Sequence, residues 1–512
     1  MTTDQIAAPS STPTGAPTFD SLDPATGAVV ATFTVDDAAR VAEVVAAAGP
    51  AAVWWDELGY DGRKQRLLAW RRILASRLPE LGELMHRENG KTYDDAVSEA
   101  ALAVEHLDWA AKHAGRELAD RSVRPGLLAM NMKATVQYRP YGVVGVIGPW
   151  NYPVHTPMGS ISYALAAGNA VVFKPSEFTP AVGAWLVDTF AEVVPEHPVF
   201  SLITGFGATG DALCRAGVGK LAFTGSTATA KLVMAACADT LTPGVIECGG
   251  KDALIVAADA DVEAAADAAV WGGFTNAGQT CIGIERVYAV ESVYDEFVAA
   301  VTAKAGKLKA GRDFGPITMP GQVDVIARHL AAAEADGGRA VVAGGVDGYL
   351  VQPAVFVDVP EWSAAVQEET FGPTLTIARV RDEDEAVERT NGTDFGLGAA
   401  VFSKHRGQEI ASRLRSGMVS INAVLAFAMV PELPFGGVGA SGFGRIHGRD
   451  GLHEFVWVRS LAAQRMRAPI TVTSYERPRW AVPSLVRMVG TLWGRGAPTA
   501  SALAKQTKES RR

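Results

Sequence analysis

The chain has 512 residues, 48% hydrophobic and 20% charged, with four cysteines, nine histidines and a net charge of −9. Such a length can hold two or three sizeable cores, and the composition is that of a soluble globular protein rather than a fibrous or disulfide-stapled one. No apolar run approaches the roughly 18 residues needed to cross a bilayer. The four cysteines (Cys214, Cys237, Cys248, Cys281) form no C-x-x-C pair and the histidines are scattered, so no metal site is expected.

The first eighteen residues are rich in Ser, Thr, Pro and Ala and read as disordered. No Lys or Arg precedes Arg40, which argues against a secretory signal or a transit peptide. With so few thiols, a reducing, cytoplasmic location is the expectation. From Arg465 onward ten Lys/Arg face two Glu, a net of +8 that leaves −17 on the rest of the chain. No nucleic-acid partner is expected of so acidic a body.

In chain order, Thr34 and Asp37 resemble a capping box opening a helix over Asp36–Ala48. Helix-like stretches follow at Arg63–Arg77 and Ala96–Lys112. Leu127–Arg139 reads as extended, a candidate projecting hairpin. A regular alternation comes next: strands at 143–147, 170–173, 200–203 and 221–223, with helices at Met158–Ala167, Pro180–Val194 and Ala228–Ala238. Short apolar runs without alternation suit strands buried on both faces, and βαβ repetition implies a parallel sheet. Beyond Gly249-Gly250 the pattern restarts, with strands at 254–257, 286–290, 340–343, 374–380, 398–402 and 418–422. A second α/β domain is expected there.

Several stretches carry chemistry, each with a plainer alternative. Gly205-Phe-Gly207-Ala-Thr-Gly210 matches the dinucleotide fingerprint, but no acidic residue ends a strand about twenty residues on, so a tight turn is the simpler reading. Phe223-Thr224-Gly225-Ser226-Thr227 opens a helix whose N-terminus suits a pyrophosphate, or is an ordinary Ser cap. Lys174-Pro-Ser176-Glu177 ends a strand, where a carboxylate can bond ribose hydroxyls and repel a 2′-phosphate; it also reads as a solvated charge pair. Glu247 lies in an apolar run, where its pKa should rise and it can serve as a base, or it is a surface glutamate. Cys281, in Thr275-Asn276-Ala277-Gly278-Gln279-Thr280-Cys281, lies at a helix-to-strand junction among glycines and small polar groups. Taken alone it reads as a small core residue.

Together these stretches, with Pro149-Trp150-Asn151-Tyr-Pro, Glu369-Thr-Phe371-Gly-Pro and Pro434-Phe-Gly-Gly, resemble the NAD(P)-dependent aldehyde dehydrogenase superfamily. Seven motifs occur in the family's order over residues 149–437. The resemblance implies an α/β fold with a Rossmann-type NAD-binding domain (19–126 and 141–249) and an α/β catalytic domain (250–445). It also implies oligomerisation elements (127–140 and 446–464), followed by a basic amphipathic tail (465–512). It implies Cys281 as the nucleophile, Asn151 with the Cys281 N–H as the oxyanion hole, and Glu247 as the base that activates water against the thioester. Lys174, Ser176 and Glu177 would hold the adenosine ribose, and Phe223, Thr224, Gly225 and Ser226 would lie at the pyrophosphate. Glu369 and Phe371 would position the nicotinamide ribose, while Ile147, Pro149, Trp150 and Gly207 complete the cofactor set. The expected cofactor is NAD, with NADP possible, and the expected partner a second copy of the chain.

Two departures from the family pattern stand out. Cys248 replaces the usual Leu, and Pro434 to Gly442 resembles the class 3 and fatty aldehyde branch. A CoA-acylating activity is disfavoured because that branch lacks the glutamate base. In the tail, Val482, Leu485, Val486, Val489, Leu492 and Trp493 fall at helical spacing, so an amphipathic helix is expected that packs on the dimer or lies on a membrane surface. The aldehyde itself is left open among succinic semialdehyde, aromatic and fatty classes.

Overall fold

In the computed structural model, residues 15–467 and 473–494 are described. The expected disorder of the N-terminus therefore lies mostly outside the described residues, as does part of the basic tail. Thr18 already begins a strand, Thr18–Leu22, paired antiparallel with Val29–Thr34. Thr34 is thus a strand residue rather than part of a capping box. Asp37 caps alone: its carboxylate accepts from the Arg40 N–H at 2.8 Å and the helix runs Ala38–Glu57.

One compact unit comprises residues 1–119 and 138–458 and contains two large sheets. The first has the order Gly442–Phe443, Gly244–Cys248, Lys220–Gly225, Val143–Ile147, Ala170–Lys174, Phe200–Leu202. Its five longer-range strands run parallel, and only Gly442–Phe443 is antiparallel. From Val143–Ile147 the chain first winds to one side, through Ala170–Lys174 to the edge strand Phe200–Leu202. It then returns to add Lys220–Gly225 on the other side, which places the reversal of winding between Val143–Ile147 and Lys220–Gly225. In open parallel sheets, ligands bind beyond the carboxyl ends of strands at such a reversal. The register aligns those ends: Ile147 pairs with Lys174 and Phe223, and Thr224 with Glu247.

The second sheet begins at Asp252, just past Gly249-Gly250. Its order is Arg339–Asp347, Leu350–Val357, Thr374–Val380, Ile284–Val290, Asp252–Val256, Gly398–Phe402, Met418–Ile421. All pairings are parallel except the hairpin between Arg339–Asp347 and Leu350–Val357. The helices on these sheets start where the sequence places polar caps: Asp261 accepts from the Ala264 N–H at 3.1 Å, and Ser226 from Thr229 at 3.2 Å.

A second unit, residues 120–137 and 459–512, is described by itself. Strand Arg121–Val123 pairs antiparallel with Met132–Pro140, so the extended stretch is one arm of a hairpin, preceded by a short helical turn at Leu127–Ala129. The tail forms the expected helix, Ala481–Trp493. Among the described residues, no helix is long and apolar enough to cross a membrane.

Candidate active site

Cys281 follows a turn of unusual backbone. Asn276, Ala277 and Gly278 have φ of 51°, 58° and 71°, three successive left-handed residues. A side chain at Gly278 would place its Cβ 2.0 Å from the Gly372 carbonyl oxygen, so glycine is required there. Left-handed Asn and Ala are costly and persist only when the surroundings over-determine them. Here they do. Asn276 Nδ2 donates to the carbonyls of Asn151 (3.0 Å) and Gln279 (3.2 Å). Gln279 Nε2 donates to Asn276 O (3.0 Å) and Pro316 O (3.3 Å), while its Oε1 accepts from Thr318 N–H (2.8 Å). The polar side chains of Asn276 and Gln279 beside Cys281 therefore use their hydrogen bonds to hold the loop in shape.

Asn151 lies against this loop. One of its amide hydrogens goes to Gln279 O at 2.9 Å, leaving the second for another acceptor. Its own carbonyl accepts from Lys91 Nζ at 2.8 Å, and Lys91 forms a buried ion pair with Glu99. Glu99 in turn accepts from the N–H groups of Val154 (2.8 Å) and His155 (3.0 Å). Lys91 and Glu99 thus pin the segment carrying Asn151. Charged residues at the start of a helical stretch read as solvated surface, so no local pattern signals this role.

Glu247 is the penultimate residue of strand Gly244–Cys248 and is 3% exposed. Both carboxylate oxygens are buried and make no hydrogen bond of ordinary geometry, although the Thr224 hydroxyl and the Cys281 thiol are close enough to favour its charge. Burial dominates and pushes the carboxyl up to about 8. Burial, then the neighbouring carboxylates Glu247 and Glu369, hold the Cys281 thiol well above the usual range. Cys248 is buried, and burial with the adjacent Glu247 pushes its thiol up to about 12, so at neutral pH it is an uncharged packing residue.

Glu369 accepts from Gly250 N–H at 3.1 Å, and a Cβ on Gly249 would come within 2.0 Å of its Oε1. Burial, followed by repulsion from Glu285, raises the Glu369 carboxyl well above the carboxylate range. Phe371 is left-handed (φ 51°) and meets Trp150 edge-on, with ring centroids 5.5 Å apart. Glu285, which no motif flagged, holds this corner. It accepts from Thr370 N–H (2.8 Å) and Phe371 N–H (2.9 Å) and pairs with buried Lys251. Glu285→Gln strands the Lys251 charge in the interior and should cost about 3–5 kcal/mol. Urea unfolding checks this, and an unchanged midpoint would remove Glu285 as the anchor.

The remaining expected residues gather at the carboxyl edge of the first sheet. Ile147, Lys174, Phe223, Thr224 and Gly225 end parallel strands, and Pro149 and Trp150 follow Ile147. Buried Lys174 donates to Pro175 O (3.1 Å) and lies 3.9 Å from the Glu177 carboxylate, to which Ser176 Oγ donates at 3.4 Å. Burial lowers the Lys174 pKa. Gly225-Ser226 opens helix Thr227–Ala238. Gly207 opens helix Gly207–Arg215, whose Gly210 would bring a Cβ to 3.6 Å from the Lys174 side chain. A dinucleotide fits this edge: helix N–H groups for phosphate at the winding reversal, and a lysine and carboxylate on the next strand for a ribose. The Gly205 fingerprint follows the edge strand instead, away from the reversal.

The expectation of scattered histidines fails in three dimensions. His106, His155 and His447 meet, with one ligating atom of each lying within 4.8 Å of the others. They come from helix Tyr93–Glu117, from the first residue of helix His155–Ala167 and from the residue preceding helix Gly448–Glu454. Only tertiary packing could join them.

Known proteins agree with this geometry. The model of the Aldehyde dehydrogenase family matches residues 11–461. A relative named 4,4'-diapolycopene aldehyde oxidase, from Methylomonas sp., is 36% identical over 471 residues, covering 90% of this chain and 88% of its own. Glutarate-semialdehyde dehydrogenase of Pseudomonas putida is 32% identical, covering 87% and 94%. Among solved structures, PnpE in complex with nicotinamide adenine dinucleotide superposes with a TM-score of 0.85 at 31% identity, covering 89% of this chain and 96% of that one. Two sheets of this topology, a cysteine on a strained loop beside a buried carboxylate, and matches across most of the chain lead to one conclusion: the chain belongs to the aldehyde dehydrogenase family and oxidises aldehydes with NAD(P).

Proposed function

We propose that Cys281, Asn151 and Glu247 convert an apolar aldehyde to its carboxylic acid. One observation carries the assignment: Glu247 is a buried carboxylate with neither oxygen hydrogen-bonded, beside the loop of Cys281. A buried unpaired carboxylate is costly unless it has chemistry to perform. Cys281 Sγ bonds to the carbonyl carbon as the thiol proton passes to Glu247. The charge that develops on the carbonyl oxygen is met by the free Asn151 amide hydrogen and the Cys281 N–H. NAD(P)+, when bound, supplies the hydride acceptor that turns the adduct into a thioester. Glu247, ionised again, takes a proton from water as its oxygen attacks the thioester. The C–S bond breaks, the acid leaves and the thiol is restored. A CoA-acylating enzyme would need no such base.

Lys174, Ser176 and Glu177 hold the adenosine ribose, Gly225 and Ser226 the pyrophosphate, and Glu369 with Phe371 the nicotinamide ribose. Ile147, Pro149, Trp150, Phe223, Thr224 and Gly207 shape the walls. The Glu177 carboxylate favours NAD over NADP, whose 2′-phosphate it repels.

The substrate class follows from where the buried cations are spent. Lys91 is paired with Glu99, Lys251 with Glu285, and Lys174 bonds Pro175 O. Arg286 donates to the carbonyls of Lys251, Arg389 and Thr390. Among these, no charge is left to grip the far carboxylate of a semialdehyde. An apolar aldehyde fits, in keeping with the class 3 and fatty aldehyde likeness of Pro434 to Gly442 and with the relative named for diapolycopene aldehyde. The relative named for glutarate semialdehyde supports a second reading, in which the substrate is a semialdehyde. Burying successive methylenes at about 0.8 kcal/mol each predicts kcat/KM for decanal at least roughly 100-fold above that for succinic semialdehyde. Equal or reversed values would overturn the apolar reading.

The second unit serves assembly. Leu128, Met130 and Leu461 are exposed there, an apolar surface suited to a second copy in a homodimer. On the tail helix Val482, Val486 and Trp493 are exposed at helical spacing, which also suits a lipid surface. Full-length protein should co-sediment with anionic liposomes more than protein ending at Met466; equal binding would leave the helix to the dimer.

A further inference from the structure

We propose that His106, His155 and His447 form a metal site that takes a borderline divalent cation, zinc above all, through three imidazole nitrogens. Their ligating atoms lie within 4.8 Å of one another, and the ring centroids are 3.9, 5.1 and 5.5 Å apart. Tetrahedral coordination at ~2.0–2.1 Å spaces nitrogens by about 3.4 Å, so the rings need close by roughly an ångström.

The hydrogen bonding points the same way. His106 Nε2 lies 3.1 Å from the Ala428 carbonyl and must carry the proton to bond it, which leaves the Nδ1 lone pair free. A carbonyl that fixes the tautomer of a ligand histidine in this way is a recurrent outer-shell feature of metal sites. Nδ1 of His106 and both ring nitrogens of His155 and His447 are buried without a hydrogen-bond partner. Three packed histidines with five idle nitrogens are a poor apolar core, because the neutral rings of His155 and His447 each also bury an unsatisfied N–H. A shared cation uses one lone pair from each.

The surroundings are built for the cluster. His447 has φ 65° and ψ 159°, a conformation ordinarily left to glycine. Its Nε2 lies over Gly159, where a Cβ would come within 2.7 Å, so any larger residue displaces the ring. Tyr163 and Phe435 close the sides, with centroids 5.8 and 5.5 Å from His447. Lys91 is close enough to act on His155, and its buried partner Glu99, which also accepts from the His155 N–H, offsets that lysine charge. Three protein ligands leave a fourth position for water. Because His155 begins the helix just after Asn151, the ion would fasten three separate segments behind the reacting centre.

The test uses untagged full-length protein carrying Cys281→Ala, which removes the accessible thiol as a competing ligand. After chelation and dialysis against Zn2+, elemental analysis should find one zinc per chain. Substituting His106→Gln together with His447→Gln should lower zinc affinity at least roughly 100-fold. Should that variant fail to fold, Co2+ added to the histidine-intact protein provides a second readout: visible d–d bands of nitrogen ligation without a thiolate charge-transfer band. Absence of stoichiometric zinc, retention of zinc after both substitutions, or a thiolate band with Co2+ would each overturn the site.

Discussion

Replacing Cys281 with alanine should lower aldehyde-dependent NADH formation by roughly ten-thousand-fold or more, the scale seen when a covalent nucleophile is deleted. Cofactor affinity should stay within a few-fold, because the residues proposed to hold the dinucleotide lie on the strand ends at Ile147, Lys174 and Gly225 rather than on the Cys281 loop. The loop itself should survive. Its shape is set by the side chains of Asn276 and Gln279 and by the glycine at 278, none of which leans on the thiol. Steady-state rates with calorimetric NAD titration separate the two effects. Residual NADH formation or esterase activity near the native level would remove Cys281 as the nucleophile.

Glu247→Gln is expected to act on a different step. The amide keeps the shape of the side chain but cannot accept a proton, so thioester hydrolysis should slow by about 100- to 10,000-fold. The first turnover, whose thiol proton can pass to water instead, should slow less than hydrolysis, so a burst of NADH of up to one per active site remains, with acyl-enzyme detectable by intact mass. The pH dependence carries the sign. Burial pushes the Glu247 carboxyl up to about 8, and only the ionised form is a base. Hydrolysis-limited turnover in the native enzyme should therefore climb with pH, about tenfold per unit below 8, and level off above it. The variant should lose that acid limb. An unchanged pH profile would assign the limb to another group.

Much of the fold was legible because buried parallel strands leave continuous apolar runs: Val143–Ile147, Thr374–Val380 and Gly398–Phe402 lie where the sequence places them. Gly244–Cys248 was not read as a strand, since Gly-Val-Ile-Glu-Cys carries a carboxylate at its fourth position, and that carboxylate is the reason the strand matters. Leu350–Val357 was obscured by Pro353, and helix Leu78–Asn89 by Pro79 and Gly82 inside a polar run. Within the site, motifs with local spacing were visible. The groups that fix them were not. Lys91, Glu99 and Glu285 act through contacts formed only after distant segments pack, and the three histidines lie too far apart in the chain for any spacing rule.

The close approach at Gly249 has a consequence for binding thermodynamics. With no side chain at that position, the Glu369 carboxylate comes right against the backbone, where the charge of Glu247 is one of the influences that raise its pKa. In the proposed arrangement, a dinucleotide that bonds Glu369 and brings a positive nicotinamide favours the ionised carboxylates, and by linkage its own affinity must rise as their protons leave. On those proposed contacts, the positive nicotinamide also favours the ionised form of Glu247, the form that takes a proton.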